Sequence, residues 1–177
     1  MARIPYFDLS QASPQIRAVV VNRPPLNIYR VVAHGGATAE GFLALGSAIL
    51  RGSELDPQLR ELVILRVGAL SQAHYEIYQH RRVAAQAGVP VEKIEAVLQN
   101  ADHAATCATF TDLEQAVLNY TDAVVRHVKA PADLFDPVSA ALPPQQLVEL
   151  HMTIGFYMLV CRLLENLEVE LEDPPVL

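Results

Sequence analysis

The chain has 177 residues, of which 51% are hydrophobic and 19% are charged, and its formal net charge is −7. This length suits one domain with a sizeable core, and the acidic balance argues against a partner such as nucleic acid, which needs a basic face. So apolar a composition leaves hydrophobic area on the folded surface. We therefore expect a homo-oligomer, because identical subunits can bury that area between them.

The first 36 residues are predicted to form an N-terminal arm rather than part of the helical core. They hold four of the twelve prolines and end in Gly35-Gly36. Ser13-Pro14 is a favourable start for a short helix that reaches Val21. No long apolar run of the signal-peptide kind opens the chain, so we expect a cytoplasmic protein.

Residues 37–167 carry hydrophobic side chains at helical spacing, and no segment alternates as a half-buried strand does. The sequence therefore predicts a single all-α domain over 1–177, with a helical core at 37–167 and a loose acidic tail at 168–177. The longest uncharged run near the C-terminus, 152–161, is about half of the ~20 residues that a membrane span requires, so no membrane association is expected. The predicted core helices cover 38–51, 57–71, 73–87, 91–99, 112–128, 133–141 and 145–167.

The helix predicted at 57–71 places a carboxylate among apolar residues. Asp56 and Pro57 suit its N-cap and its first position. From Leu62 to Leu70 only Arg66 is charged, so this helix is expected to lie inside the protein. Glu61 would then be desolvated, which favours its neutral acid form unless a cation or a hydrogen-bond donor faces the carboxylate. Glu61 is therefore a candidate for general acid/base chemistry, although a structural ion pair with a neighbouring arginine is an equal alternative.

The next predicted helix carries the second half of the candidate site. Glu76 and His80 stand four residues apart on a face that otherwise holds only Ala, Val and Ile, so their side chains can meet in a hydrogen bond. Tyr75 lies on the other face. Such a pair suits proton transfer, but a structural pair buried across a subunit interface is the alternative. Glu61, Glu76 and His80 also form a known type of metal-ligand set; since no further ligand follows at helical spacing, we expect no metal.

The motif around these residues is similar to a known family. Arg60-Glu61-Leu62-Val63-Ile64-Leu65-Arg66, followed by Tyr75-Glu76 and His80, resembles the carboxymuconolactone decarboxylase family, which includes alkylhydroperoxidase D. The likeness continues through Gly88-Val89 and 94–97, and more faintly at 155–157. The resemblance implies an all-α, alkylhydroperoxidase D-like helical bundle that assembles as a trimer or hexamer and needs no cofactor.

The two branches of the family imply different chemistry. In the hydroperoxidase branch a C-x-x-C pair reacts with peroxide, and its two positions are Ala73 and Glu76 here, while Tyr75 replaces the relay histidine. Cys107 and Cys161 lie outside that motif and are expected to be ordinary buried or semi-buried thiols, so the thiol mechanism does not carry over. The decarboxylase branch has a glutamate at the position of Glu76, and its substrate is a small lactone that bears carboxylates.

These observations predict a carboxymuconolactone decarboxylase-like enzyme that works by cofactor-free acid/base chemistry on a small carboxylated or lactone substrate. His80 would act as acid or base, Glu76 would orient and charge it, Glu61 would be the second proton-transfer group, and Tyr75 a further donor. The pocket is expected between helices 57–71 and 73–87, with Arg66, Arg81 and Arg82 as candidates for holding a substrate carboxylate. The alternatives are a family protein with nominal peroxiredoxin activity and a non-catalytic binding or assembly protein.

Overall fold

A computed structural model describes residues 2–99 and 109–173. Within these ranges the chain forms nine α-helices and no strand, which confirms the predicted all-α class. Short 3-10 turns at Leu9–Gln11 and Ala33–Gly35 complete the N-terminal arm. The helices are α1 (Pro14–Val20), α2 (Asn27–Val32), α3 (Ala37–Gly52), α4 (Pro57–Leu70), α5 (His74–Gln86), α6 (Val91–Gln99), α7 (Asp112–His127), α8 (Ala132–Ala141) and α9 (Pro144–Asn166).

The seven predicted core helices correspond to α3 through α9, and each end agrees within one residue. Local capping explains this agreement. The Asp56 carboxylate accepts a hydrogen bond from the amide of Leu59, with Pro57 at the first helical position of α4. Thr111 and Glu114 form a complete capping box at the start of α7.

Helix α4 is the centre of the bundle, packed against α5, α6, α7 and α9. Every residue from Leu59 to Gly68 is buried, as its nearly continuous apolar sequence predicts. The one charge in its apolar run, Arg66, is completely buried and is neutralised by the carboxylate of Asp122. Burial of a guanidinium is tolerable only with such a partner, so Arg66 serves the core.

Helix α9 is, among the described residues, the only helix long and apolar enough to cross a membrane by length and composition. Its contacts account for that composition: it packs against α3, α4, α5, α7 and α8, and buries Leu150, Ile154 and Val160. One of its faces remains outside the bundle. Val148, Met152 and Leu159 lie on that face at helical spacing, each about half exposed.

The C-terminal tail is ordered against the core, so the expectation of a loose tail is wrong for residues 168–173. Val169 is buried, and the Glu172 carboxylate accepts hydrogen bonds from the amide of Asn27 (2.7 Å), the hydroxyl of Tyr75 (2.6 Å) and Nε2 of Gln79 (2.7 Å). Hydrogen bonds to a charged acceptor are stronger than neutral ones, and three of them anchor the tail across α2 and α5.

Candidate active site

The close approach of α4 to α5 builds the site. A Cβ atom added at Gly68 would lie 3.2 Å from Cγ1 of Ile77 and 3.9 Å from Cγ of Glu76, so the absence of a side chain there lets the two helices come together. This contact turns the face of α5 that carries Glu76 and His80 onto α4, where Glu61 lies. The two predicted halves of the site therefore meet.

His80 lies between the two carboxylates. Its Nδ1 is 2.7 Å from Oε2 of Glu61, and its Nε2 is 3.0 Å from Oε1 of Glu76. Glu61 is completely buried, and the exposed fractions of Glu76 and His80 are 3% and 8%. The edge of the imidazole also contacts the ring of Tyr157, with 5.0 Å between ring centroids. Each imidazole nitrogen thus faces a carboxylate, and rotation of the ring would break both of these contacts.

The two carboxylates decide the charge of His80. Burial alone lowers the pKa of an imidazole, but the negative charges of Glu76 and Glu61 outweigh it and raise the pKa of His80 to about 10. His80 is therefore an imidazolium near neutral pH, with an N–H directed to each carboxylate. Arg60 adds a second positive charge, since its Nε lies 3.6 Å from Oε1 of Glu61.

A small cavity of about 90 Å³ opens beside this network. Its walls come from α3, α5, α9 and residues 23–29, and most of them are apolar side chains such as Phe42, Leu43 and Phe156. Its polar part includes Arg23, Glu76, Gln79 and His80. Oε1 of Glu76 is held by the ion pair with Nε2 of His80, and both side chains border the cavity, where they can contact a ligand.

The cavity is not where the sequence predicted it. The expected place, between α4 and α5, is filled by the contact at Gly68 and by the Glu61–His80 hydrogen bond. Among the described residues that line the cavity, none belongs to α4. Glu61 consequently lies behind His80 and does not face the cavity, whereas Glu76 and His80 do.

Tyr75, the predicted further donor, has its hydroxyl engaged elsewhere. The ring lines the cavity, but the hydroxyl donates to Oε1 of Glu172 and accepts from the amide of Ile28 (3.3 Å). Burial, together with the Glu172 carboxylate, raises the pKa of Tyr75 above its usual range, so the phenol stays neutral. Its role is to hold the tail and residues 26–28 against α5.

The arginines proposed for a substrate carboxylate do not line the cavity. Arg66 pairs with Asp122, and Arg81 pairs with Glu95 at the surface. The arginine that does line it is Arg23, in the N-terminal arm. Sequence reasoning missed Arg23 because no motif surrounds it. It also missed Gln79, although this residue follows Tyr75 by one helical turn and so shares its face.

The chemistry of the donor set does not favour a metal here, because both imidazole nitrogens of His80 are turned to carboxylates and neither offers a lone pair to an ion. Among residues 2–99 and 109–173 no group of three or more His, Cys, Asp or Glu side chains is arranged to hold a metal ion. The geometry suits direct proton transfer between side chain and ligand.

Packing beside the cavity can be tested with a matched pair of glycines in α3. A Cβ at Gly46 would lie 3.0 Å from Cζ of Phe156, whereas a Cβ at the exposed Gly41 meets nothing within 4 Å. Both alanine substitutions gain about 1 kcal/mol of helix propensity. We expect Gly46→Ala to be about 1–3 kcal/mol less stable than Gly41→Ala in urea unfolding, because only the first overpacks the core. Equal stability of the two variants would contradict this packing.

The fold and site together define a class: helical bundles in which a buried glutamate of one helix binds a histidine that follows a second glutamate by one turn. The chain belongs to the carboxymuconolactone decarboxylase family, whose profile matches residues 36–123, and its fold is alkylhydroperoxidase D-like. The match spans α3 to α6 and most of α7, and so includes Glu61, Glu76 and His80. A comparison with curated proteins finds no significant match.

Solved structures share the fold at low sequence identity. An uncharacterized peroxidase-related protein from Ralstonia eutropha JMP134, an alkylhydroperoxidase AhpD core, superposes with a TM-score of 0.84 at 16% identity, covering 98% of this chain and 93% of its own. An uncharacterized peroxidase-related protein from Silicibacter sp. TM1040 superposes with a TM-score of 0.71 at 14% identity, covering 96% of this chain and 91% of its own. A debrominase in complex with 2,3,4-tribromopyrrole superposes with a TM-score of 0.72 at 16% identity, covering 97% of this chain and 90% of its own.

Proposed function

We propose that this protein is a cytoplasmic, cofactor-free acid/base enzyme that acts in the manner of a decarboxylase on a small carboxylated or lactone substrate. One observation carries the proposal: Glu76 and His80, a buried ion pair in which His80 is an imidazolium, both line a mostly apolar cavity. Ionisable groups whose pKa values are shifted by their surroundings and that lie in a cleft within reach of a ligand are typical of proton-transfer sites.

The chemistry assigns each side chain a part. When the bond from the substrate carbon to its carboxylate breaks, the electron pair stays on that carbon and carbon dioxide leaves. The carbon then takes one proton, which His80 supplies at Nε2 either directly or through Glu76, and water later returns a proton to the imidazole. Glu61 takes no part in the transfer itself; its hydrogen bond to Nδ1 keeps the ring in position.

A ligand screen followed by an isotope measurement tests the proposal. Small lactones and carboxylic acids are first screened by thermal shift, because a compound that binds only the folded state raises the melting temperature. Compounds that bind are then incubated in D2O. We expect release of carbon dioxide, with one deuterium placed on the carbon that lost it. Compounds that bind tightly but show neither release nor exchange would support a non-catalytic binding protein instead.

A thiol peroxidase is the second candidate, because two of the structural neighbours are described as peroxidase-related. The residues here favour it less. Cys161 is buried, and this burial raises its pKa to about 12, so the reactive thiolate is scarce. Cys107 lies outside the described residues. Rapid labelling of either thiol by a maleimide in the native protein would favour the peroxidase, whereas labelling only in denaturant would exclude it.

We also propose that the protein is a homo-oligomer that buries the outward face of α9 between subunits. Val148, Met152 and Leu159 form an exposed apolar stripe on this face, and exposed Gly155 between them permits close approach of a second copy. We expect sedimentation to give a trimer or hexamer, and Met152→Glu to lower the mass toward that of the monomer. An unchanged mass for this variant, or a monomeric wild type, would contradict the interface.

A further inference from the structure

Arg23 is a cation on the wall of the cavity that holds Glu76 and His80. Its guanidinium donates to the hydroxyl of Tyr29 (Nη1 to Oη, 3.4 Å) and to Oγ of Ser47, and it lies 5.5 Å from the centroid of the Tyr29 ring. Tyr29 also lines the cavity. These contacts orient the side chain, but both partners are neutral groups, so neither compensates its charge.

Part of the guanidinium is left without a partner. Nε of Arg23 is buried and makes no hydrogen bond to any described residue. No carboxylate within residues 2–99 and 109–173 lies within ion-pair distance of it. A guanidinium has five N–H donors in a fixed planar fork, and two of its nitrogens bind only hydroxyls here. Donors therefore remain for a planar anionic acceptor.

The charges of the network around His80 balance each other. Glu61 lies between Arg60 and His80, and Glu76 faces His80, so two carboxylates are matched by two cations. Arg23 takes no part in this balance and lies at the edge of a cavity whose walls are mostly apolar. An unpaired cation in such surroundings is unfavourable, and an anionic ligand that reaches it gains a strong interaction.

We propose that Arg23 binds the carboxylate of the ligand, so that the cavity selects small organic acids with an apolar body. A carboxylate other than the one that is lost lies against the guanidinium, the body contacts Phe42, Leu43 and Phe156, and the reacting end reaches Glu76. Only the last part of this arrangement rests on the proposed function. Recognition of the acid by Arg23 is a property of binding and can be measured without turnover.

Pairs of acids and their neutral amides test the proposal. Isothermal titration calorimetry compares cyclopentanecarboxylate, 2-furoate and benzoate with their primary amides, which have nearly the same shape but no charge. We expect the wild type to bind at least one acid tenfold or more tightly than its amide. In Arg23→Met this preference falls to about one while amide affinity is retained, and in Arg23→Lys it is intermediate because the charge remains without the fork. The matched control, Arg51→Met, removes an exposed arginine of α3 and keeps the full preference.

Several outcomes would overturn the proposal: a wild type with no preference for any of the three acids, a preference that survives in Arg23→Met, or an equal loss of acid and amide binding. If Arg23→Met fails to fold, the Arg23→Lys variant is used instead. An undiminished preference of this variant for acids over amides would contradict the proposal. Failure of the proposed function looks different. Glu76→Gln, or a protein with no detectable turnover, can still show the acid preference that depends on Arg23.

Discussion

Glu76→Gln should reduce kcat by about 10²–10⁴-fold while leaving the protein folded, the range that one general acid/base group typically contributes. The amide keeps the shape of the carboxylate but cannot take up a proton, and it removes one of the two negative charges that hold the proton on His80. We expect KM to change much less, since in the proposed arrangement the ligand is held through a carboxylate at Arg23. The measurement is steady-state kinetics on a substrate from the ligand screen, with the melting temperature recorded beside it.

Glu92→Gln is the matched control for this experiment. Glu92 is exposed in the first turn of α6, outside the cavity lining, so the same chemical change there should leave kcat unaltered. A Glu76→Gln enzyme with wild-type kcat would remove Glu76 from the mechanism, and the buried pair would then be structural.

His80→Gln should lower the free energy of unfolding by about 3–5 kcal/mol, which is the usual result of taking one partner out of a buried ion pair. The reason is that Glu61 and Glu76 would both remain buried without the imidazolium between them. Urea unfolding at pH 6.5 measures this loss. His74→Gln, at an exposed position of the same helix, is the control and should lie within about 0.5 kcal/mol of the wild type.

The pH dependence of the stability of the same variant tests whether His80 is charged in the folded protein. Because the pKa of His80 is raised from 6.5 to about 10 on folding, the native state binds a proton that the unfolded state releases as pH passes 6.5. The stabilisation from His80 is therefore complete below pH 6.5 and is lost as pH rises through about 10. The difference in stability between wild type and His80→Gln should shrink across this window. A constant difference would mean that His80 is neutral in the folded protein.

Part of the candidate site follows from local geometry. Glu76 and His80 are four residues apart in a helix, so their side chains share a face whatever surrounds them, and the structure places them 3.0 Å apart. The burial of Glu61 likewise follows from the apolar sequence around it. The contact between His80 and Glu61 depends on the close approach of α4 to α5 at Gly68. This approach cannot be predicted from the spacing of hydrophobic residues along either helix.

The cavity and its neighbours could not be predicted in the same way. Tyr75 looked available as a donor because its partner, Glu172, is 97 residues away in the sequence. Glu172 itself lies in a short acidic tail whose composition indicates a loose segment, and only the three donors that converge on it from α2 and α5 hold it in place. Arg23 enters the cavity from a proline-containing arm with no motif.

The sequence by itself determined the helices, their ends, the family and the two motif segments, because caps, periodicity and spacing act over a few residues of one chain segment. The tertiary structure alone decided which wall of the bundle opens into a cavity, which carboxylate faces it and which arginine supplies its charge. Those features depend on the packing of segments that are distant in the sequence. A hydrophobic pattern along one helix indicates which of its faces is apolar, but not which other segment packs against that face.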